Sequence, residues 1–291
     1  MDSFARILPR RAITIIAVAT VATACARDAW SQSYPVKPIR VVVPTSAGGG
    51  TDMIARALAH KLNESWGQPV VTDNRPGATG AIGMEVVANA VADGYTLVVC
   101  TSAMLTINPN LYARLRYDPI KSFAPVTLAA SSPHVLVLHP RVTASTVKEL
   151  IAFMKANPRK LNYSSSGNGS ATHLAGELFD HMAGVQSVHI PYKGGGPAIT
   201  DLLGGQIQMR FSSLPPLLPH VRAGRLRALA VTSATRFSMF PELPTVAETV
   251  PGYKSDIWYG VLGPAGMPAA IVAKLHAEMT RHLHTAEFKS R

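Results

Sequence analysis

Three short segments bring together glycines and hydroxyl side chains in a way suited to holding a small anion. The first is Thr45-Ser46-Ala47-Gly48-Gly49-Gly50-Thr51-Asp52. Its glycines let backbone N–H groups approach a ligand closely, and the helix expected to start here adds a positive dipole end. Asp52 opposes an anion, so it is read as a helix cap or as a partner for a ligand hydroxyl or ammonium. The second segment is Ser164-Ser165-Ser166-Gly167-Asn168-Gly169-Ser170, whose hydroxyls and free N–H groups precede another helix start. Capping by Ser170 alone is its plainer explanation. The third, Tyr192-Lys193-Gly194-Gly195-Gly196-Pro197, offers a cation beside three glycines and a helix read as opened by Pro197. A solvated lysine next to a turn is the alternative there. Candidate contacts are therefore Thr45, Ser46, Gly48, Gly49, Gly50 and Asp52 from the first loop. The second and third loops give Ser165, Ser166, Gly169, Ser170, Tyr192 and Lys193. His173, three residues into the helix after the serine loop, is the one histidine placed near them, against the plainer reading of a surface or core side chain.

Catalytic signatures are missing. The chain has no G-x-S-x-G nucleophile elbow, no H-E-x-x-H metal motif and no G-x-x-x-x-G-K phosphate loop. Gly48-x-Gly50 is followed by Met53 where a dinucleotide fingerprint needs glycine. Two cysteines, Cys25 and Cys100, are too few for a cysteine-based zinc site. The reading is a binding protein with no catalytic residue, metal or cofactor. An α/β enzyme acting on a small carboxylate is the alternative, and would need a nucleophile–base pair that no motif announces.

The elements that must position these loops alternate between strand and helix. Ile39 to Val43 is a β-branched run bounded by prolines, hence a buried strand. Ile54, Leu58 and Leu62 then share one face of a helix opened by Thr51. A short strand at Val70-Val71, a turn at Asn74 to Gly77, a helix over 82–91 and a strand over 95–100 follow. A second series begins near Val135, with strands at 135–138, 161–163, 188–191, 207–211 and 226–232. Its helices are announced by the Thr146/Glu149 capping-box spacing, by Ser170 and by Pro197. Repeated strand–helix units imply an α/β protein with mainly parallel sheets covered on both faces. Two series in this length suggest two lobes, with the aromatic stretch 253–264 returning to the first. Ligands in such sheets sit beyond the carboxyl ends of strands, where the three loops lie.

Composition narrows the class. Of 291 residues, 47% are hydrophobic and 15% charged, enough for a real core and unlike disorder. Residues 1–31 read as an export signal: Arg6, Arg10 and Arg11, then an uncharged run from Ala12 to Ala24, then small residues. That run is shorter than the roughly 17 residues a membrane span needs. Ala29-Trp30-Ser31 is the best cleavage site, with Ala24-Cys25-Ala26 as the alternative. Cys25 raises a lipoprotein reading and Arg10-Arg11 a twin-arginine one. The formal charge is +11; residues 1–31 carry four arginines and two aspartates, so a chain starting at Gln32 keeps +9. The basic residues are scattered rather than striped, which favours small anions over nucleic acid.

The ordered set of local motifs resembles the Bug family, the receptors of tripartite tricarboxylate transporters. It runs from Tyr34-Pro35-Val36-Lys37-Pro38-Ile39-Arg40 through Gly49-Gly50-Thr51-Asp52, Asn74-Arg75-Pro76-Gly77 and Asp93-Gly94-Tyr95-Thr96-Leu97. It continues in Leu161-Asn162-Tyr163-Ser164-Ser165, His173 to Glu177, Pro191 to Gly194 and Leu226 to Ala230. The resemblance implies a two-lobed type II periplasmic-binding-protein fold. Residues 32–132 would form the first part of lobe 1, 133–251 lobe 2, and 252–291 a shortened return to lobe 1. It further implies a periplasmic, monomeric receptor that captures a small carboxylate and passes it to membrane permease subunits, or a sensor using the same pocket. Thr101 and Ser102 join the candidate contacts on this ground. Thr45-Ser46-Ala47 departs from the family's proline-bearing aromatic loop. The chain also stops at Arg291, before such receptors usually end, which leads to the expectation of a less stable first lobe.

Overall fold

The computed structural model describes residues 34–285 and residue 288. The expected export signal, its cleavage site and the Cys25 alternative lie outside the described residues. In chain order the first group of elements is β1 (Ile39–Val43), α1 (Gly50–Trp66), β2 (Val70–Asn74), α2 (Ala81–Ala88), β3 (Thr96–Thr101), two short helices α3 (Ser102–Thr106) and α4 (Asn108–Leu111), and β4 (Phe123–Pro133). The second group is β5 (Val135–Leu138), α5 (Val147–Ala156), β6 (Asn162–Ser165), α6 (Ala171–Ala183), β7 (Val188–Pro191), α7 (Gly195–Leu203), β8 (Met209–Ser212), α8 (Leu218–Arg222) and β9 (Arg227–Val231). β10 (Asp256–Pro264) and α9 (Ala269–Leu283) complete the described chain.

The local reasons are those of the side chains. β1 is a β-branched run buried at four of its five positions. α1 buries Ala55, Leu58 and Leu62 along one stripe and ends where Gly67 takes a left-handed φ of 63°. α6 starts at Ser170, whose hydroxyl accepts from the His173 N–H at 3.3 Å. At α5, Thr146 Oγ1 accepts from Glu149 N at 3.1 Å. The Glu149 carboxylate takes the Ser145 N–H and hydroxyl, both at 2.8 Å, so the return half of the expected box falls one residue early.

Two five-stranded sheets result, ordered β2-β1-β3-β10-β4 and β7-β6-β8-β5-β9. Both are mixed: β10 runs against β3 and β4 in the first, and β5 against β8 and β9 in the second. The remaining four strands of each sheet share one direction. The opposed strand is in each case the one entered directly from the other lobe, which is why it reverses. Several boundaries differ from the sequence reading. Asn74 ends β2, paired with Val43, rather than opening a turn. α7 opens at Gly195, two residues ahead of Pro197, which the first turn tolerates because its N–H needs no partner there. The eleven-residue β4 had no strand reading, since its burial repeats every three residues rather than alternating.

α9 docks on the first lobe, with Leu275 and Met279 in the same core as Ile39, Leu58 and Leu97. The His276 ring meets the Val126 carbonyl at 2.7 Å. Helix α9 thus covers the apolar face of β4.

The chain crosses between lobes twice, at Pro133–Val135 and between β9 and β10. The crossings are tied together. His134 N–H donates to Thr232 Oγ1 at 2.7 Å, Thr232 N–H donates to the His134 carbonyl at 2.9 Å, and Ser255 N–H donates to the Thr232 carbonyl at 3.0 Å. His134 is fully buried; burial, helped by Arg210, pushes its imidazole down to about 4. Burial, helped by His173, pushes His189 down to about 4 as well. In the unfolded chain these rings take a proton near 6.5, so between pH 6.5 and 4 only the unfolded state is protonated. Stability present above pH 6.5 is therefore lost on acidification, at up to about 1.4 kcal/mol per pH unit for the fully buried His134. Urea midpoints should fall steadily from pH 6.5 to 5, above the carboxylate range; a flat profile there would mean the rings are accessible and charge freely.

Candidate anion-binding site

The carboxyl ends of β1, β6 and β8 face one another across the gap between the lobes. They enclose a cavity of about 50 Å³, room for several waters or a few ligand atoms. Three helix starts line it: Gly50 of α1, Ala171 of α6 with its cap Ser170, and Gly195 of α7. Each presents unpaired N–H groups and a positive dipole end.

At its base lies Arg210 of β8, 1% exposed. Its Nη1 donates to Ser164 Oγ at 3.1 Å and Nη2 to Ser166 Oγ at 3.2 Å. Nε is buried without a partner, and among the described residues no carboxylate pairs with the guanidinium. Burial pulls its pKa down only to about 10, so it stays charged at neutral pH. Two further orphaned polar atoms belong to residues lining the same cavity, Thr45 Oγ1 and His134 Nε2. The site is thus a cluster of donors and positive ends around a cation that no carboxylate offsets. A small anion is what it can hold.

Of the residues expected from sequence, the cavity brings together Thr45, Gly49, Gly50, Thr101, Ser166 and Ser170. The rest stand behind or beside it. Asp52 is buried, where it accepts from Gly48 N at 3.0 Å, Asn74 Nδ2 at 2.9 Å and Arg56 Nε at 2.9 Å. Burial works against its charge, yet these bonds outweigh it and hold the carboxyl below its usual range. It shapes the loop and, being paired, does not repel an anion. Ser165 contacts the His189 ring at 2.6 Å, and His173 stacks on His189 with centroids 4.0 Å apart. Gly169 N–H reaches His173 Nδ1 at 3.1 Å, with Leu111 filling the space a side chain would need. Ser102 accepts from Thr106 within α3, and the Tyr192 hydroxyl donates to Asp201 at 2.6 Å. Sequence reasoning passed over Arg210, His134, Thr79, Ser213 and Tyr259. For Arg210 a signal existed: a charge inside the apolar strand Met209-Arg210-Phe211, where a fully buried arginine needs a partner.

Ser46, Gly48 and Lys193 serve closure. Ser46 N–H and Oγ both donate to the Lys193 carbonyl at 3.2 Å. Thr79 Oγ1 likewise donates across the gap to the Asn168 carbonyl at 2.5 Å. Glycine faces glycine: a Cβ on Gly49 would lie 3.1 Å from Gly195 Cα, and one on Gly48 3.5 Å from Gly196 Cα.

A two-lobed α/β receptor with a closed anion cavity is the class these features define. The sequence matches the family described as tripartite tricarboxylate transporter family receptor over residues 54–290. Protein BugT of Bordetella pertussis is 38% identical over 278 residues, covering 95% of this chain and 84% of that protein. Two solved Rhodopseudomonas palustris structures are also similar. Rpa4515 with adipate has a TM-score of 0.85 at 38% identity, covering 88% of this chain and 86% of that one. MatC with bound malate has a TM-score of 0.82 at 30% identity, covering 88% of each chain. The chain belongs to the tripartite tricarboxylate transporter receptor family and has its two-lobed type II periplasmic-binding-protein fold.

Closure yields a prediction. A Cβ on Gly196 would overlap the Ala47 carbonyl oxygen, which belongs to the opposite lobe. Alanine is otherwise favoured inside a helix by about 1 kcal/mol. Gly196→Ala should therefore hold the lobes apart without lowering the urea midpoint. Small-angle scattering should give it a larger radius of gyration than the wild type; identical curves would mean the glycine contact does not govern closure.

Proposed function

We propose that this protein is an exported periplasmic receptor that binds a small carboxylate between its lobes and delivers it to the permease of a tripartite tricarboxylate transporter. Residues 1–31 act as its export signal. It does no chemistry on the ligand. The observation that carries this reading is Arg210: a guanidinium buried at the interlobe cavity with no carboxylate among the described residues to offset it. Burying an unpaired charge costs several kcal/mol, a cost that a bound anion would offset. Support comes from the helix ends around it and from the adipate and malate bound by two structural relatives. Thr45, Gly49, Gly50, Thr101, Ser166 and Ser170 supply the remaining contacts.

Arg210→Met separates a ligand role from a structural one. Removing two charge-assisted hydrogen bonds should weaken carboxylate binding about 100-fold. Because an apolar side chain ends the burial of an unpaired charge, the unliganded variant should be as stable as the wild type or more so. Calorimetric titration with malate, succinate, adipate and lactate, together with urea unfolding, reads both quantities. Unchanged affinity would remove Arg210 from the site. Ligand consumption above an uncatalysed control would move the protein to the enzymes.

A further inference from the structure

A single peptide unit of the second lobe is held from both sides where the lobes meet. Its Asn168 carbonyl accepts the Thr79 hydroxyl of the first lobe at 2.5 Å, and its Gly169 N–H donates to His173 Nδ1 at 3.1 Å. A peptide unit is planar and its C=O and N–H point opposite ways, so fixing one end aims the other. On the first lobe, the Tyr112 hydroxyl donates to Thr79 Oγ1 at 3.2 Å and Asn108 Nδ2 donates to the Thr79 carbonyl at 3.2 Å, which sets the threonine for this contact. Thr79 on one side, and Ser166 and Ser170 on the other, line the anion cavity.

A backbone N–H only donates, so the His173 nitrogen that receives it carries no hydrogen. The single hydrogen of the neutral ring is then on Nε2, which faces the Glu177 carboxylate of the same helix at 3.7 Å. Two other titratable groups pack against this residue. His189 of β7 stacks on the ring with centroids 4.0 Å apart, and the Tyr163 hydroxyl of β6 meets Glu177 at 2.5 Å and the His173 carbonyl at 3.4 Å. From the first lobe, the side chains beside Gly169 are the apolar Ile107 and Leu111. Burial keeps both rings below the ordinary histidine range, His189 down to about 4. A first proton goes to His173, whose Nε2–H faces the carboxylate, and it must enter on Nδ1. Hydrogen then opposes hydrogen at Gly169, and the peptide unit has to turn away. We infer that His173 is a positioning residue for lobe closure: its bare Nδ1 holds the 168–169 peptide so that the Asn168 carbonyl meets Thr79, and a proton on Nδ1 releases that contact. The closed form excludes a proton that the open form accepts, so closure weakens as pH falls through the histidine range. The inference rests on the receptor reading above, in which ligand binding requires closure.

The test titrates malate, succinate, adipate and lactate calorimetrically into the wild type, His173→Ala and His173→Asn, at about pH 7.5 and pH 5.5, one unit either side of the ordinary histidine pKa. Asparagine offers an acceptor oxygen close to the Nδ1 position and takes no proton in this range. Each variant meets the same acid at the same pH, so the acid's own ionisation cancels in the ratio of affinities. Relative to His173→Asn, the wild type should lose about 10-fold in affinity on going to the lower pH. At the higher pH, His173→Ala should bind about 5-fold more weakly than the wild type, the effect of one hydrogen bond, and His173→Asn should restore the affinity. A ratio that is the same at both pH values would overturn the inference while leaving the carboxylate receptor standing. An asparagine variant no better than the alanine one would overturn it too. Should no acid bind, the receptor reading falls, and the histidine ¹⁵N spectrum of the unliganded wild type judges His173 by itself, because the contact with Gly169 lies within one lobe. Nδ1 should appear at neutral pH as the bare nitrogen, coupled to the Gly169 amide; a hydrogen on Nδ1 would overturn the assignment.

Discussion

A guanidinium held away from water, with no carboxylate beside it among the described residues, organises this molecule. Arg210 sits on β8, flanked in the sheet by β6 and β5, and is 1% exposed. The hydroxyls of Ser164 and Ser166 orient its planar fork but cannot neutralise it. Nor can the group escape by losing its proton, because burial brings it only to about 10. The serine loop therefore has two tasks, one toward the arginine and one toward the cavity. Lysine would answer the same need poorly, since its point charge gives no fork for two serines to hold.

The loops around that charge were arranged for close approach rather than for reaching side chains. Gly50 has Ser213 and Tyr259 pressed against it, and Gly49 faces Gly195 from the other lobe. Magnitudes explain why both lobes are needed. A charge-assisted hydrogen bond contributes about 1.5–3 kcal/mol and a helix end about 0.3–1. Micromolar binding needs about 8 kcal/mol after the losses of association. One lobe holds Arg210, the other the first glycine loop, and neither alone reaches that figure.

Much of the fold was legible because its local signals agree with one another. β-Branched runs marked β1, β5 and β7, and Ser170 and Thr146 marked helix starts that exist. β4 escaped because its burial has no strand period, and α7 began early because three glycines carry little positional information. The site was legible at the level of loops and obscure at the level of atoms. Backbone-rich loops announce themselves by glycine and serine, whichever of their residues face the ligand. Asp52, Ser165 and Tyr192 carry suitable chemistry, yet their groups bond to Arg56, His189 and Asp201. Arg210 and His134 were hidden for the opposite reason. Arg210 sits between Met209 and Phe211, His134 between a proline and the apolar β5, and only the tertiary fold brings the two beside one cavity.

The cavity and the crossings between the lobes share residues, and this follows from the order of strands. The opposed strands β5 and β10 are the first elements after each crossing, so residues at their entries lie both at a crossing and at the cavity. His134 stands immediately before β5, with its backbone tied to Thr232 and its ring facing Ser255 near the second crossing. Ile257 and Tyr259, on the returning strand, line the same cavity. His134 and Arg210 thus meet at one cavity, one from the segment that joins the lobes and the other from the second lobe's sheet. The two crossings are bonded to each other beside that cavity, so the cavity wall and the connection between the lobes are one piece of structure.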